Sequence, residues 1–243
     1  GYVMFEGKFV SLIVTAAGSG SRMAGHENKL WISIGGKSVL ERTLDNLLFA
    51  DIFDEMILVI SKSLLGKIQA NLLPRIQERL PVKLVFGGKE RQDSIANGLN
   101  VLSKESDYVL THDGARPFVT KRIVMDVLSA LRTYSVAVPG VACKDTIKVA
   151  WENMEVVATP RREFLYQIQT PQAFHKQTLL KAYEKTKQEQ LYGTDDASLA
   201  EKIGEKIKIV PGSYNNIKIT TLEDILLGEL IVKEEKGANR KRF

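Results

Sequence analysis

The chain has 243 residues, of which 44% are hydrophobic and 26% charged, with a formal net charge of +5 and one cysteine. This composition is that of an ordinary globular protein, and a lone Cys143 excludes a disulfide framework and fits a reducing compartment. The apolar runs are too short to span a bilayer, so we expect a cytoplasmic protein that makes no membrane contact.

The positive charge is concentrated near the end of the chain. Residues 233–243 hold five cations and two acids, which supply +3 of the total of +5. We expect residues 236–243 to form a disordered, solvated tail. No basic stripe with interleaved aromatics and no helix-turn-helix pattern occurs, so nucleic-acid binding is not expected.

Short β-branched runs alternate with helical patterns, which predicts an α/β fold with a mostly parallel, Rossmann-like sheet and helices on both faces. The predicted strands are 10–16, 55–61, 82–86, 107–112, 134–142 and 206–210. The predicted helices are 38–50, 63–72, 91–102, 120–132, 176–189, 195–203 and 221–235. A two-stranded segment is predicted over 145–158, and one domain is expected over residues 1–235.

The first predicted strand runs into a glycine-rich loop. Thr15-Ala16-Ala17-Gly18-Ser19-Gly20-Ser21-Arg22-Met23 is followed by Lys29. Bare backbone N–H groups in such a loop can cradle phosphate oxygens, and Arg22 and Lys29 add two cations at the same place. The segment therefore predicts a nucleoside triphosphate site, whereas a tight turn without a ligand would explain the glycines but not the cations.

Two common nucleotide motifs are excluded. The G-x-G-x-x-G dinucleotide motif fails because Met23 occupies its third glycine position, and because the second strand ends at Ser61 instead of a ribose-binding acid. A P-loop is excluded because no G-x-x-x-x-G-K-[ST] run occurs in the sequence.

Two later strand ends carry polar motifs at the sheet edge where ligands bind in such folds. Gly87-Gly88 precedes a helix start, where backbone can close on a flat ring; the alternative is a plain helix start with surface charges. Asp113 and Arg116 could bind a sugar hydroxyl and a phosphate, or could pair with one another. The three histidines, His26, His112 and His175, lack metal-ligand spacing and are expected to be loop or surface residues.

Seven motifs in order resemble one family. They are Ala16-Ala17-Gly18-Ser19-Gly20-Ser21-Arg22-Met23, Gly87-Gly88-Lys89-Glu90-Arg91, His112-Asp113-Gly114-Ala115-Arg116-Pro117, Asp145-Thr146-Ile147-Lys148, Thr170-Pro171-Gln172, Thr194-Asp195-Asp196-Ala197 and Asn216-Ile217-Lys218. The set is similar to the 2-C-methyl-D-erythritol 4-phosphate cytidylyltransferases of the non-mevalonate isoprenoid pathway. The chain departs from that pattern at Asn28 and Leu30, where the family usually has Pro-Lys-Gln around the lysine, and at Gly114, where Ala or Ser is common.

The resemblance implies a nucleotidyltransferase with a glycosyltransferase-A-like fold that transfers the cytidylyl group of CTP to methylerythritol 4-phosphate. The rival is the ribitol-5-phosphate cytidylyltransferase family, which typically has Ala-Gly-Gly in the first loop and Ser-Asp-Ala in the late motif. A catalytically silent CTP-binding module is a further alternative. It is disfavoured by the intact cations Lys29, Arg162 and Lys218.

The resemblance also implies residue roles. The implied catalytic residues are Arg22 and Lys29 on the CTP phosphates, and Arg162 and Lys218 on the acceptor phosphate. The implied substrate-binding residues are Ala16, Ala17, Gly18, Gly20, Gly88, Arg91 and Ser94 for CTP, and Asp113, Gly114, Arg116, Thr146 and Thr170 for the ribose and the acceptor. No metal ligand is expected from the protein, since Mg²⁺ would be bound mainly through the CTP phosphates. A β-arm over 145–160 would form a homodimer, because an isolated two-stranded arm leaves apolar side chains exposed.

Overall fold

The computed structural model describes residues 5–17 and 28–241, with side chains as far as residue 238. Its strands are β1 (Val10–Ala16), β2 (Ser33–Ile34), β3 (Lys37–Ser38), β4 (Glu55–Ile60), β5 (Val82–Phe86), β6 (Tyr108–Asp113), β7 (Val136–Ala142), β8 (Val149–Ala150), β9 (Val156–Ala158), β10 (Tyr166–Ile168), β11 (Gln172–His175) and β12 (Ile207–Pro211). Its helices are α1 (Val39–Phe49), α2 (Leu65–Asn71), α3 (Leu73–Gln77), α4 (Arg91–Leu99), α5 (Lys121–Ala130), α6 (Lys176–Glu189), α7 (Asp196–Lys202) and α8 (Leu222–Lys241).

Eight of the described strands form one central sheet. Their order is β10-β7-β11-β6-β1-β4-β5, and β12 pairs with β7. Strands β4, β1 and β6 run parallel at its centre, and their side chains are almost entirely buried, as expected for strands that are covered on both faces. The prediction of a mostly parallel α/β sheet with helices on both faces is confirmed.

Alternate residues of the central strands supply two separate apolar cores. Leu12 and Val14 of β1 pack on one face with helices α1 and α5, while Ile13 packs on the other with α4 and α6. The parallel register brings Thr15 beside Asp113, so that β1 and β6 end together at the same edge of the sheet. That edge holds the candidate site.

Several sequence-based expectations were wrong. Strands β10 and β11 were not predicted, because each is short, contains glutamine and lies close to Pro171; both run antiparallel to β7, within the central sheet. The helix expected over 63–72 is present as α2, but a 3-10 turn, Lys62–Leu64, replaces its first residues. The last helix, α8, continues to Lys241, so the tail expected to be disordered from residue 236 is helical over 236–241.

Segment 145–160, the predicted arm, contains the hairpin β8–β9 and projects its side chains into solvent. Strands β8 and β9 have two and three residues and pair only with each other. Trp151 is 64% exposed and Met154 is 81% exposed. Among the described residues, no helix has both the length and the apolar character required to cross a membrane.

Candidate active site

A cavity of about 220 Å³ opens at the carboxyl ends of β1 and β6. Seven of the residues singled out in the sequence line it: Ala16, Ala17, Lys29, Arg91, Asp113, Gly114 and Lys218. Three of these seven are cationic. Asp113 is the one carboxylate in the described lining, so the charged side chains there sum to +2. A cavity of this charge is suited to a polyanionic ligand.

The carboxylate of Asp113 is shared by three cations. Its Oδ1 lies 3.3 Å from Arg91 Nε, and its Oδ2 lies 3.4 Å from Arg116 Nε and 3.9 Å from Lys218 Nζ. Burial alone would raise the pKa of Asp113, but the charges of Arg91, Lys218 and Arg116 outweigh it and hold the pKa well below its ordinary value. Asp113 is therefore ionised at any pH at which the protein would work.

Arg91 is held from its other side by a second buried carboxylate. Its Nη1 lies 3.2 Å from Asp196 Oδ1, and Asp196 also accepts hydrogen bonds from the hydroxyls of Thr111, at 2.7 Å, and Tyr183. Burial would lower the pKa of Arg91, yet the charges of Asp196 and Asp113 raise it. Burial and the Asp196 charge both raise the pKa of Tyr183, so its hydroxyl stays protonated and donates a hydrogen bond to Asp196.

Helix starts place these two groups. Glu90 and Asp93 form a capping box at the start of α4, which fixes the first helical residue, Arg91, at the sheet edge. Asp195 and Ser198 form a second capping box that begins α7 and turns Asp196 inward. The sequence motif 194–197 was noted for its resemblance only, and its structural purpose is this ion pair with Arg91.

Lys29 begins a 3-10 turn, Lys29–Trp31, which is capped by the Asn28 side chain accepting the N–H of Leu30 at 2.9 Å. Burial lowers the pKa of Lys29, the nearby charge of Lys218 lowers it further, and Asp113 opposes them. Two lysines thus face one cavity, at some cost to the charged form of Lys29. An anion bound between them would relieve that cost.

Close backbone packing shapes the wall around Ala17. Ser94 Oγ accepts the N–H of Gly88 at 3.1 Å, and a Cβ added at Gly87 would clash with Ala17 and lie 2.7 Å from Ser94 Oγ. A Cβ added at Gly114 would lie 2.6 Å from the carbonyl oxygen of Thr15, so glycine suits the approach of β6 to β1 there.

Comparison with known proteins gives the family. The model of the family "IspD: 2-C-methyl-D-erythritol 4-phosphate cytidylyltransferase" matches residues 10–234. This chain belongs to that family. The proteins of that name from Caldanaerobacter subterraneus subsp. tengcongensis and Syntrophus aciditrophicus are 43% and 40% identical, over 93% and 94% of this chain and 99% and 97% of theirs. The crystal structure of 4-diphosphocytidyl-2C-methyl-D-erythritol synthase from Anaerococcus prevotii is 40% identical with a TM-score of 0.82, covering 93% of this chain and 99% of that one.

The structure does not place every other residue expected for the cytidylyltransferase site, and some of those that it describes do not line the cavity. Gly18, Gly20 and Arg22 fall outside the described residues. Thr146 and Arg162 belong to or follow the arm, are exposed and do not line the cavity; Arg162 Nη1 donates to the carbonyl of Lys144 at 2.7 Å.

Thr170 and His112 lie beneath the cavity. The Thr170 hydroxyl is buried and meets His112 and the backbone N–H of Asp113. His112, expected in a loop or at the surface, is instead fully buried within β6, because a strand covered on both faces buries every side chain it carries.

Replacement of Asp196 tests the anchoring of Arg91. The Asp196→Asn substitution keeps the shape of the side chain but removes its charge. We expect it to lower kcat/KM for CTP by about tenfold or more, because the Arg91 side chain is then no longer held in one position. Steady-state kinetics with CTP varied measure this. Asp195→Asn is the matched control, since asparagine also caps helices, and an equal loss in both variants would contradict the role given to Asp196.

The lowered pKa of Lys29 has a pH consequence. In the free protein Lys29 loses its proton at lower pH than an ordinary lysine, so kcat/KM for CTP should fall as pH rises through that pKa. Lys29→Arg keeps the charge and should remove this alkaline decline, whereas Lys29→Ala should lower turnover about 100–1,000-fold. A pH profile of kcat/KM for the three proteins measures both effects.

The control for this profile is Lys208→Arg, on the exposed face of β12 away from the cavity. If Lys29→Arg kept the same alkaline decline as the unaltered protein and Lys208→Arg, the decline would belong to another group.

Proposed function

We propose that this protein transfers the cytidylyl group of CTP to 2-C-methyl-D-erythritol 4-phosphate and releases pyrophosphate. The observation that carries the proposal is the cavity at the sheet edge, which Lys29, Arg91 and Lys218 line together with one carboxylate, Asp113, in a chain of this family. The family match favours this acceptor over ribitol 5-phosphate.

The chemistry is an in-line displacement at phosphorus. An oxygen of the acceptor phosphate forms a bond to the α-phosphorus of CTP, and the bond from that phosphorus to the bridging oxygen of the β-phosphate breaks. The electron pair leaves on pyrophosphate. Lys29, together with Arg22, is suited to stabilise the charge that develops on the phosphate oxygens.

No general base is required, because a phosphate monoester is already a nucleophile at neutral pH. Neither Asp113 nor His112 is suited to act as a general base. Asp113 is ionised but engaged by three cations, and burial lowers the pKa of His112 to about 4 while both of its ring nitrogens are occupied. Catalysis then depends on positioning and charge neutralisation.

The substrate is proposed to be the magnesium complex of CTP. No group of three or more His, Cys, Asp or Glu in the described part of the chain is arranged to hold a metal ion. Asp113 supplies the carboxylate of the described lining, and its oxygens face arginine and lysine. Mg²⁺ would therefore be held by phosphate oxygens and water, where it neutralises triphosphate charge.

An acceptor panel tests the function. With CTP and magnesium we expect pyrophosphate release with methylerythritol 4-phosphate and little with ribitol 5-phosphate or ribulose 5-phosphate. A coupled pyrophosphate assay measures all three. Preference for ribitol 5-phosphate would move the chain to the rival activity with the same mechanism, and no release with any acceptor would favour a CTP-binding module.

We further propose that the protein is a homodimer in which the arm of one subunit completes the acceptor site of the other. Exposed apolar side chains along the arm, such as Trp151 and Met154, are suited to a protein interface. Arg162 directly follows the arm and lies outside the cavity of its own chain, whereas Lys218 lines that cavity. A two-fold axis would let each arm supply an arginine to its partner.

Mixing two inactive variants tests this assembly. Arg162→Ala and Lys218→Ala should each raise KM for the acceptor while sparing CTP binding, because both residues are assigned to the acceptor phosphate. After subunit exchange, mixed dimers should recover activity, since one of their two sites would have both residues intact. Activity is measured on mixtures whose dimers are verified by mass spectrometry.

Arg161→Ala provides the matched control. Arg161 is the exposed neighbour of Arg162, pairs with Glu163 and stacks on Phe164, so its loss should leave acceptor KM near normal. Mixed dimers that stay inactive would show that each site is built from one chain.

A further inference from the structure

His112 is buried one residue before Asp113, and both of its ring nitrogens have partners. Nε2 lies 3.0 Å from the carbonyl oxygen of Arg116, and Nδ1 lies 2.9 Å from Thr170 Oγ1. A carbonyl oxygen can only accept a hydrogen bond, so Nε2 carries a proton and is the donor of this hydrogen bond. Burial lowers the pKa of His112 to about 4, so at neutral pH the ring is uncharged and Nδ1 is an acceptor.

The direction of the next hydrogen bonds follows. Because Nδ1 accepts, the Thr170 hydroxyl donates to it, and Thr170 Oγ1 in turn accepts the backbone N–H of Asp113 at 3.1 Å. One defined chain thus runs from the Asp113 backbone through Thr170 and His112 to the Arg116 carbonyl. It fixes both ends of the short loop that carries Asp113 and Arg116.

Thr170 also reaches the segment that carries Lys218. Its carbonyl accepts the side-chain N–H of buried Asn216 at 2.9 Å, and the Asn216 carbonyl accepts Arg116 Nη1 at 2.7 Å. Asn216 stands two residues before Lys218. The position of Lys218 relative to Asp113 is therefore tied, through Thr170, to the same buried imidazole.

We propose that His112 is a positioning residue for the acceptor side of the site: as the uncharged Nε2–H tautomer it fixes Thr170 and the Arg116 carbonyl, and so sets the positions of Asp113, Arg116 and Lys218 at the acceptor side. This deepens the proposed function and rests on it. His112 touches no substrate and moves no proton in the reaction. Its contribution is the geometry of the three charged side chains.

Two substitutions separate the two bonds. The amide of asparagine reaches the position of Nδ1 and that of glutamine the position of Nε2, so His112→Asn and His112→Gln each retain one partner. We expect both to raise KM for the acceptor about tenfold, with KM for CTP nearly unchanged, because misplacement affects the acceptor-side cations.

His175→Asn is the matched control, because its shorter amide does not reach the position of Nε2. His175 Nε2 also contacts a carbonyl, that of Leu131 at 2.8 Å, but lies beside Tyr108 at the opposite end of β6. It should lose a comparable bond and comparable thermal stability without changing either KM. Acceptor KM values that match this control in both His112 variants would overturn the positioning role.

Nitrogen NMR of the imidazole tests the tautomer while His112 itself is intact, so it does not rely on the folding of a His112 variant. The signal that persists in a His26→Gln/His175→Gln double variant belongs to His112. We expect a proton on Nε2, none on Nδ1 and no titration near neutral pH. A Nδ1–H or charged ring would overturn the inference even in an active enzyme, whereas absence of pyrophosphate release with this tautomer present would mean that the proposed function itself fails.

Discussion

Burial of the Asp113 carboxylate is tolerable only because three cations approach it from three separate parts of the chain. Arg91 comes from α4, Arg116 from the loop after β6, and Lys218 from the segment before α8. Without Asp113, those cations would repel one another in a poorly solvated cavity; without the cations, the carboxylate would carry an uncompensated desolvation cost of several kcal/mol. The relative placement of three elements therefore depends on one side chain, and the cavity exists where they meet.

The balance of charge leaves the site positive. Asp196 compensates Arg91 from behind, so Asp113 is not the sole partner of Arg91 and can also face Arg116 and Lys218. Burial and the charge of Lys218 both lower the pKa of Lys29. Among the cations of the lining, Lys29 therefore has its charge least balanced by a carboxylate. A bound triphosphate would add negative charge in the cavity, where the described side chains have a net positive charge. The same excess of positive charge then serves binding and catalysis, because these cations also stabilise the negative charge that develops on the phosphate oxygens in the transition state.

The sequence predicted the residues at the edge of the sheet better than the buried contacts that hold them in place. Lys29 and Asp113 lie close together because the parallel strands β1 and β6 end at the same edge of the sheet, whereas Lys218 was assigned from the family resemblance. The role of Asp196 was missed, since its partner Arg91 is 105 residues away and no local pattern encodes that contact. The burial of His112 had a usable signal: a strand covered on both faces buries each polar residue it carries, and such a residue needs a hydrogen-bond partner. Strands β10 and β11 were missed because short, polar strands have no clear period.

The described cavity is uneven in what one chain supplies. Several of the described residues assigned to CTP, among them Ala16, Lys29 and Arg91, line it, but of those assigned to the acceptor, Thr146 lies on the arm and Arg162 just after it, both exposed. If a partner's arm completes the second half, CTP binding would not depend on association of two chains whereas acceptor binding would. The rigid network beneath Asp113 then serves a second purpose, because a preformed acceptor-side surface lets the incoming arm bind without first ordering the groups it must face.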